Sequence, residues 1–298
     1  MDKKIAIIPS QQINSQLWDA CIRQNQAPIY LQFNYLNSMS TNWVGLVLEN
    51  YKGIIPICFK TKFGIKYSYT PAFIQQLGWV GEQLDFTILE NTIYNFVQYG
   101  DIMLNHQHQF SLPKLQEKTN LIIPLNTAYE NIFSNYSFDL KQNLKKATKE
   151  NVLYQSSSEI ELAISLYKYM YAERLEKTTQ QDFDHFLNLC LQLNKTHNCL
   201  VRKVVNSNNE LLSIALLLKD ENRIYNIANS TTLLGRKTAS NHFLIDQILK
   251  EFANSNLIFD FEGSDLGGVK SFYQNFGALN QPYFHWHFNK LWFLPKNF

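Results

Sequence analysis

Hydrophobic and polar positions divide the chain into two stretches that run through similar elements. In the first, residues 4–9 read as a strand, and apolar spacing of helical type follows around Leu17–Arg23 and Tyr30–Met39. Three strand-like runs come next, Trp43–Leu48, Gly53–Lys62 and Ile65–Tyr69, with Asn50 and Gly64 as turn residues between them. Gly78 and Gly81 interrupt the chain before a helical pattern over Leu84–Tyr99, and Ile102–Leu104 reads as a short strand.

The polar segment Leu115–Asn120 marks a boundary, after which the order begins again. Leu121–Leu125 reads as a strand, and helices are expected at Glu130–Asn135, Phe138–Glu150, Glu159–Lys177 and Gln180–Asn194. Leu200–Val205, Leu211–Lys219 and Arg223–Asn229 read as strands joined by hairpin turns at Asn206–Asn209 and Lys219–Asn222. A loop over Thr231–Ser240, a helix near Asn241–Asn254, a strand–turn–helix over Leu257–Gly277 and a last strand at Tyr283–Phe288 complete the chain. The repeated order predicts two domains, 1–119 and 120–298. No residue-level repeat accompanies it.

The stretch Leu257–Gly277 carries the sharpest chemical pattern. Strand alternation places Asp260 and Glu262 on one face, opposite Phe259 and Phe261. Two carboxylates on an apolar strand are costly to bury alone, so that face either lines a polar cleft or meets basic groups from elsewhere. We read it as a cleft. After Gly263-Ser264-Asp265, apolar residues at Leu266, Val269, Phe272, Tyr273 and Phe276 take helical spacing, and Gly277 stops the helix.

Composition narrows the class. With 45% hydrophobic and 17% charged residues, the chain has the make-up of a globular protein. A net charge of +2 gives no general basic surface for nucleic acid. The N-terminal apolar run is too short for a signal peptide, and no run reaches the length of a membrane span. Cys21, Cys58, Cys190 and Cys199 show neither C-x-x-C spacing nor disulfide-framework density, which predicts a cytoplasmic protein in a reducing compartment.

Other candidate features each have two readings. Gly235, Arg236 and Lys237 precede Ser240 and Asn241 at a helix start, where free N–H groups suit a phosphate. The same residues also describe an ordinary capped helix with two solvated cations. Tyr167, Met170, Tyr171 and Arg174 share a face of the helix expected over 159–177. Arg174 either pairs with Asp260 or Glu262 or snorkels to water. Lys141, Lys145 and Lys149, with Lys146 beside them, form a basic stripe that meets an anionic donor or is a solvated face. His106-x-His108 and His285-x-His287 lack a third metal ligand nearby and read as structural or surface residues.

The second half resembles the acyl-CoA N-acyltransferase (GNAT) fold, in the tandem-domain branch that includes the Fem-type peptidoglycan aminoacyltransferases. The resemblance rests on the basic helix of Ser137–Val152, on Arg174, on the strand–loop–helix of Asn229–Asn241, and on Phe259–Gly277, which resembles a D-F-x-G strand followed by a helix ending F-x-x-F-G. It implies an α+β fold of mixed, mostly antiparallel sheets flanked by helices, in two tandem domains. It further implies an enzyme moving an acyl group from acyl-CoA to an amine of a small molecule or the cell envelope, without a metal. Glu262, with Asp260 next, would be the general base and Tyr273 the general acid. Arg174, Tyr171 and Tyr225 would contact substrate, a backbone N–H of Tyr225–Asn229 would hold the oxyanion, and Gly235, Arg236, Lys237, Ser240 and Asn241 would hold the donor. Two further readings stay open: a Fem-type aminoacyltransferase using charged tRNA, and a non-catalytic ligand-binding relative. Fem-type enzymes that use tRNA usually carry Lys at the position of Tyr273, which leans the donor toward acyl-CoA.

Overall fold

A computed structural model describes residues 4–109, 112, 114–175, 178–263, 265 and 267–291, except for the side chains of Phe86, Arg174 and Leu175. Two compact units divide the chain, Met1–Lys118 with Pro282–Phe298, and Thr119–Gln281.

The first unit contains β1 (Ile5–Pro9), α1 (Ser15–Gln24), α2 (Phe33–Met39), β2 (Trp43–Leu48), β3 (Gly53–Lys62), β4 (Ile65–Ser68), β5 (Val80–Gly81), α3 (Phe86–Phe96), β6 (Tyr99–Leu104) and β7 (Leu115–Lys118). β2 is buried along its whole length between β1 and β3, which is why it reads as an unbroken apolar run. Gly45 in β2 admits the Trp18 ring, which a Cβ there would meet at 2.6 Å.

The second unit contains β8 (Leu121–Pro124), α4 (Tyr129–Ser134), α5 (Phe138–Lys149), β9 (Leu153–Ser157), α6 (Ile160–Met170), α7 (Gln180–Asn194), β10 (Cys199–Val205), β11 (Leu211–Lys219), β12 (Arg223–Thr231), α8 (Leu233–Lys237), α9 (Ser240–Phe252), β13 (Ile258–Asp260), α10 (Gly267–Gln274) and β14 (Leu279–Asn280). Its sheet has the order β14-β8-β13-β12-β11-β10-β9, and every neighbouring pair is antiparallel except β12 with β13. Leu140, Leu144 and Ala147 of α5 and Leu244, Ile245, Ile248 and Leu249 of α9 share one core with Leu212, Ile224, Phe259 and Phe261. Helices α6 and α7 pack on β10–β12 outside that core, so the interior of β11 is fully buried.

The α+β expectation of mostly antiparallel sheets flanked by helices holds. Several local expectations do not. The last strand forms as β15 (Tyr283–Asn289), yet it pairs with β6 and β7 and so completes the first sheet. Leu115–Lys118 is the strand β7, and the polar edge strand β9 was not expected. The helix expected over 159–177 leaves α winding after Met170 and continues as a 3-10 turn over Ala172–Leu175. The Arg174 side chain and residues 176–177 lie outside the described residues.

Candidate functional site

The centre of the second unit is a parting of two strands. β12 and β13 are in register only over Arg223–Tyr225 and Ile258–Asp260. β12 then runs on to Thr231 with β11 as its partner, while the chain leaves β13 at Phe261. Between Leu216↔Ala228 and Leu218↔Tyr225, β12 carries one extra residue, a bulge at Asn226–Ile227. A cleft of about 230 Å³ opens there, lined by Tyr167, Tyr171, Asn226, Ile227, Asn229, Phe261, Glu262, Gly263, Val269 and Tyr273.

Asp260 and Glu262 do not share a fate. Asp260 has no exposed surface and forms an ion pair with Arg223 through Oδ2, which also accepts a hydrogen bond from Asn120 Nδ2 at 3.1 Å. Arg223 donates its other NH2 group to Gln281 Oε1 at 2.8 Å. The basic group that reaches the acid is therefore Arg223, and Asp260 does not line the cleft as a base should. Asp260 Oδ1 accepts the Glu262 N–H at 2.9 Å. This holds Glu262 at φ +64, followed by Gly263 at φ +59, and turns the Glu262 side chain into the cleft wall. A non-glycine residue in the left-handed region is strained, and here a buried ion pair maintains it.

Tyr273 faces the cleft from α10, with its ring stacked 4.3 Å from that of Phe261. Burial pushes its phenol well above the ordinary value of 10. The nearby phenols of Tyr167 and Tyr171 and the carboxylates of Glu262 and Asp260 add to that shift. The group therefore stays a protonated donor at neutral pH. Tyr167 and Tyr171 pair with ring centroids 5.1 Å apart on the α6 side. Ser264 and Leu266 lie outside the described residues.

Tyr225 does not contact the cleft. It is buried, and its hydroxyl donates to Asp220 Oδ2 at 2.8 Å, because alternation along β12 turns it away from Asn226. Asn226 was not anticipated. It is 4% exposed, lines the cleft, and leaves both its amide nitrogen and oxygen without a hydrogen-bond partner; the Asn229 amide nitrogen is likewise unpaired. Two Asn residues inside the apolar run Ile224–Ala228 and its extension are the available sequence signal, since Asn is depleted in strands. Leaving a buried amide unpaired costs about 1–3 kcal/mol. Asn226→Leu is expected to raise the melting temperature of the ligand-free chain while weakening whatever activity the cleft supports; paired melting and activity assays check this.

The segment expected as a phosphate-holding loop folds differently. Leu233–Lys237 form α8, capped by Thr232 Oγ1 accepting the Gly235 N–H at 3.0 Å. Gly235 is buried, and a Cβ there would approach the Leu212 carbonyl oxygen to 2.1 Å. Its role is close packing on β11, not a tight turn. Gly235→Ala should destabilise the chain by about 1–3 kcal/mol in denaturant titration, because backbone must move. Arg236 and Lys237 are exposed at the end of α8. Ala239, at φ +55, leads into the 13-residue α9, where Ser240 Oγ and Asn241 Oδ1 are buried without partners. On α5, Lys145, Lys146 and Lys149 are exposed, while Lys141 donates to the Ser134 carbonyl.

A second cleft of about 260 Å³ lies in the first unit, lined by Asn25, Trp79, Gln83, Gln107 and neighbours, with no carboxylate among the described residues of its wall. Also in the first unit, His285 and His287 both bond Asp101 Oδ1, at 2.9 and 3.0 Å. Among the described residues no group of three or more His, Cys, Asp or Glu could hold a metal ion, and no helix is long and apolar enough to cross a membrane.

No protein-family profile matches the chain, and no curated protein matches it by sequence. Solved structures do. FemX is similar over 93% of this chain and 97% of its own, with a TM-score of 0.64 at 12% identity. A conserved protein of unknown function from Bacteroides thetaiotaomicron gives 0.59 at 8% identity over 96% and 100%. L-PGS from Bacillus licheniformis gives 0.54 at 12% identity over 96% and 94%. At these identities the likeness is one of architecture, and that architecture is the GNAT-like, Fem-related fold.

Proposed function

We propose that the chain is an N-acyltransferase that moves an acyl group from an acyl-CoA thioester to a primary amine, of a small molecule or of the cell envelope, in the cleft where β12 and β13 part. One observation carries this reading: a carboxylate, Glu262, and a protonated phenol, Tyr273, line the same cleft of about 230 Å³ beside the bulged backbone of Asn226–Ile227. The first unit supports a tandem arrangement of two GNAT-like domains. Its strands β2–β4 are antiparallel, and β4 pairs parallel with β6 across α3, much as β12 pairs with β13 across α9.

The chemistry follows from the residue types. An amine arrives as an ammonium, and aromatic faces with a carboxylate suit a cation. Glu262 takes a proton from it, and the free amine attacks the thioester carbonyl. The N–H groups at the β12 bulge stabilise the oxyanion. As the tetrahedral species collapses, its nitrogen gives up a second proton to water, the C–S bond breaks and Tyr273 protonates the departing thiolate; the proton held by Glu262 restores the phenol directly or through water. The net products are the N-acyl amine, CoA thiol and one proton. Asp260 and Arg223 position Glu262 and take no part in proton transfer. The backbone N–H groups at the start of α9, at Ser240 and Asn241, are those we assign to the donor's pyrophosphate, with exposed Arg236 and Lys237 adding charge. We place the protein in the cytoplasm, where acyl-CoA is available.

Tyr273→Phe is expected to lower the turnover number with little change in KM for the amine, since the phenol acts on the leaving group. Because the phenol is held above 10, wild-type turnover should show no alkaline fall from this residue up to pH 10. A steady-state pH series of both proteins measures this.

Thermal melting against acetyl-CoA, longer acyl-CoAs and total charged tRNA discriminates the readings. A donor at a hundred times its Kd stabilises the chain by about 2.7 kcal/mol. Stabilisation by an acyl-CoA supports the proposal. Stabilisation by charged tRNA alone supports the Fem-type reading, which the likeness to FemX and the exposed Lys145, Lys146 and Lys149 favour. No shift from any of them supports a ligand-binding relative.

A further inference from the structure

The β3–β4 ribbon of the first unit carries a surface feature that the acyl-transfer reading leaves unused. Its register pairs Lys60 with Tyr67, Thr61 with Lys66 and Lys62 with Ile65, so the ribbon closes on Phe63-Gly64. Both closing residues have positive φ, +52 for Phe63 and +78 for Gly64. Turns of this kind favour Asn-Gly, and a bulky residue at the first position is strained. Phe63 nevertheless stands there with 91% of its surface exposed. Neither packing nor turn chemistry accounts for it.

The charge around the tip is of one sign. Between residues 53 and 81 the chain has Lys60, Lys62 and Lys66 and no Asp or Glu. Lys60 and Lys62 are two apart in β3 and share a face, while Lys66 lies opposite Thr61 on the other face. The Lys62 ammonium lies 5.6 Å from the centre of the Phe63 ring, that of Lys60 4.6 Å from Tyr69, and that of Lys66 4.5 Å from Phe96. One cation therefore lies against the projecting Phe63 ring, and the other two stand on opposite faces of the same ribbon.

We propose that this tip docks on an anionic lipid bilayer, with Phe63 entering the boundary between headgroups and acyl chains and the three ammonium groups meeting lipid phosphates. Reversible membrane binding needs an apolar insertion together with a basic cluster, and both are present in one hairpin. A single-stranded nucleic acid calls for a groove with successive aromatic platforms, whereas this ribbon offers one ring at its apex. The proposal does not depend on which donor or acceptor the second unit uses.

The test is sedimentation of the full chain with vesicles of phosphatidylcholine alone and of an equimolar phosphatidylcholine–phosphatidylglycerol mixture. Binding is expected to the anionic vesicles only. Lys62→Gln and Lys66→Gln should each lower the partition coefficient about fivefold. Phe63→Asn should lower it about tenfold. That variant gives the turn its favoured residue, so an unchanged or raised melting temperature excludes unfolding as the cause. Equal binding to both vesicle types, no binding to the anionic vesicles, or Phe63-dependent binding to poly(U) without vesicle binding would overturn the proposal.

Discussion

Glu262→Gln is expected to lower the acyl-transfer rate by about 100- to 10,000-fold, the range that a positioned acid–base group supplies. The substitution keeps the size of the side chain and the backbone N–H that Asp260 accepts, so the left-handed turn at Glu262-Gly263 should persist. Stability should therefore change little, which separates this result from a folding defect. An amide cannot take a proton from an ammonium, so the rate loss should shrink as pH is raised and free amine accumulates. A Glu262→Gln variant with full turnover at neutral pH removes the base from this residue. Steady-state rates across pH, beside a thermal melt of the same preparation, give both readouts.

Asp260→Asn is the substitution with the largest expected effect on stability. It leaves the Arg223 guanidinium buried without its counter-ion, and breaking a buried pair from one side costs about 3–5 kcal/mol. The damage should also reach the cleft. Asp260 Oδ1 anchors the Glu262 amide, and an Asn oriented to spare Arg223 an amide clash must weaken one of the two contacts. Activity should consequently fall more than the melting temperature alone explains at temperatures where the chain stays folded. Replacing both partners, as in Asp260→Asn with Arg223→Met, should recover part of the stability and none of the positioning. Denaturant titration of the single and double variants measures the first effect, and turnover of the folded fraction measures the second.

These two acids also show where sequence reasoning succeeded and where it stopped. Alternation along a strand placed Asp260 and Glu262 together, but β13 ends at Asp260, and a positive φ at the next polar residue redirects Glu262. The partner that neutralises Asp260 comes from β12, thirty-seven residues earlier, and nothing local to Arg223 announces it. The hairpins of β10–β12 were legible because turn-forming runs separate long apolar ones. β9 was missed because its residues, Leu-Tyr-Gln-Ser-Ser, are those of a half-exposed edge. α8 was missed because Gly235 reads as a loop residue, while its actual constraint is contact with the Leu212 carbonyl, distant in sequence. β15 was recognised as a strand, yet which sheet it joins is decided by long-range pairing that no periodicity records. Tyr171, Glu262 and Tyr273 were read from the sequence and do line one cleft; Asn226 joins them through a bulge that only the strand register reveals.

Release of CoA thiol tests the acyl-transfer reading most directly. The purified chain is incubated with acetyl-CoA or a longer acyl-CoA and a panel of primary amines, thiol is followed with a thiol-reactive dye, and acylated amine is identified by mass spectrometry. The account predicts thiol release that requires an amine, matches the acylated product one for one, and drops in Glu262→Gln and Tyr273→Phe. Amine acylation that proceeds from charged tRNA and from no acyl-CoA, or thiol release unchanged in both variants, would contradict it.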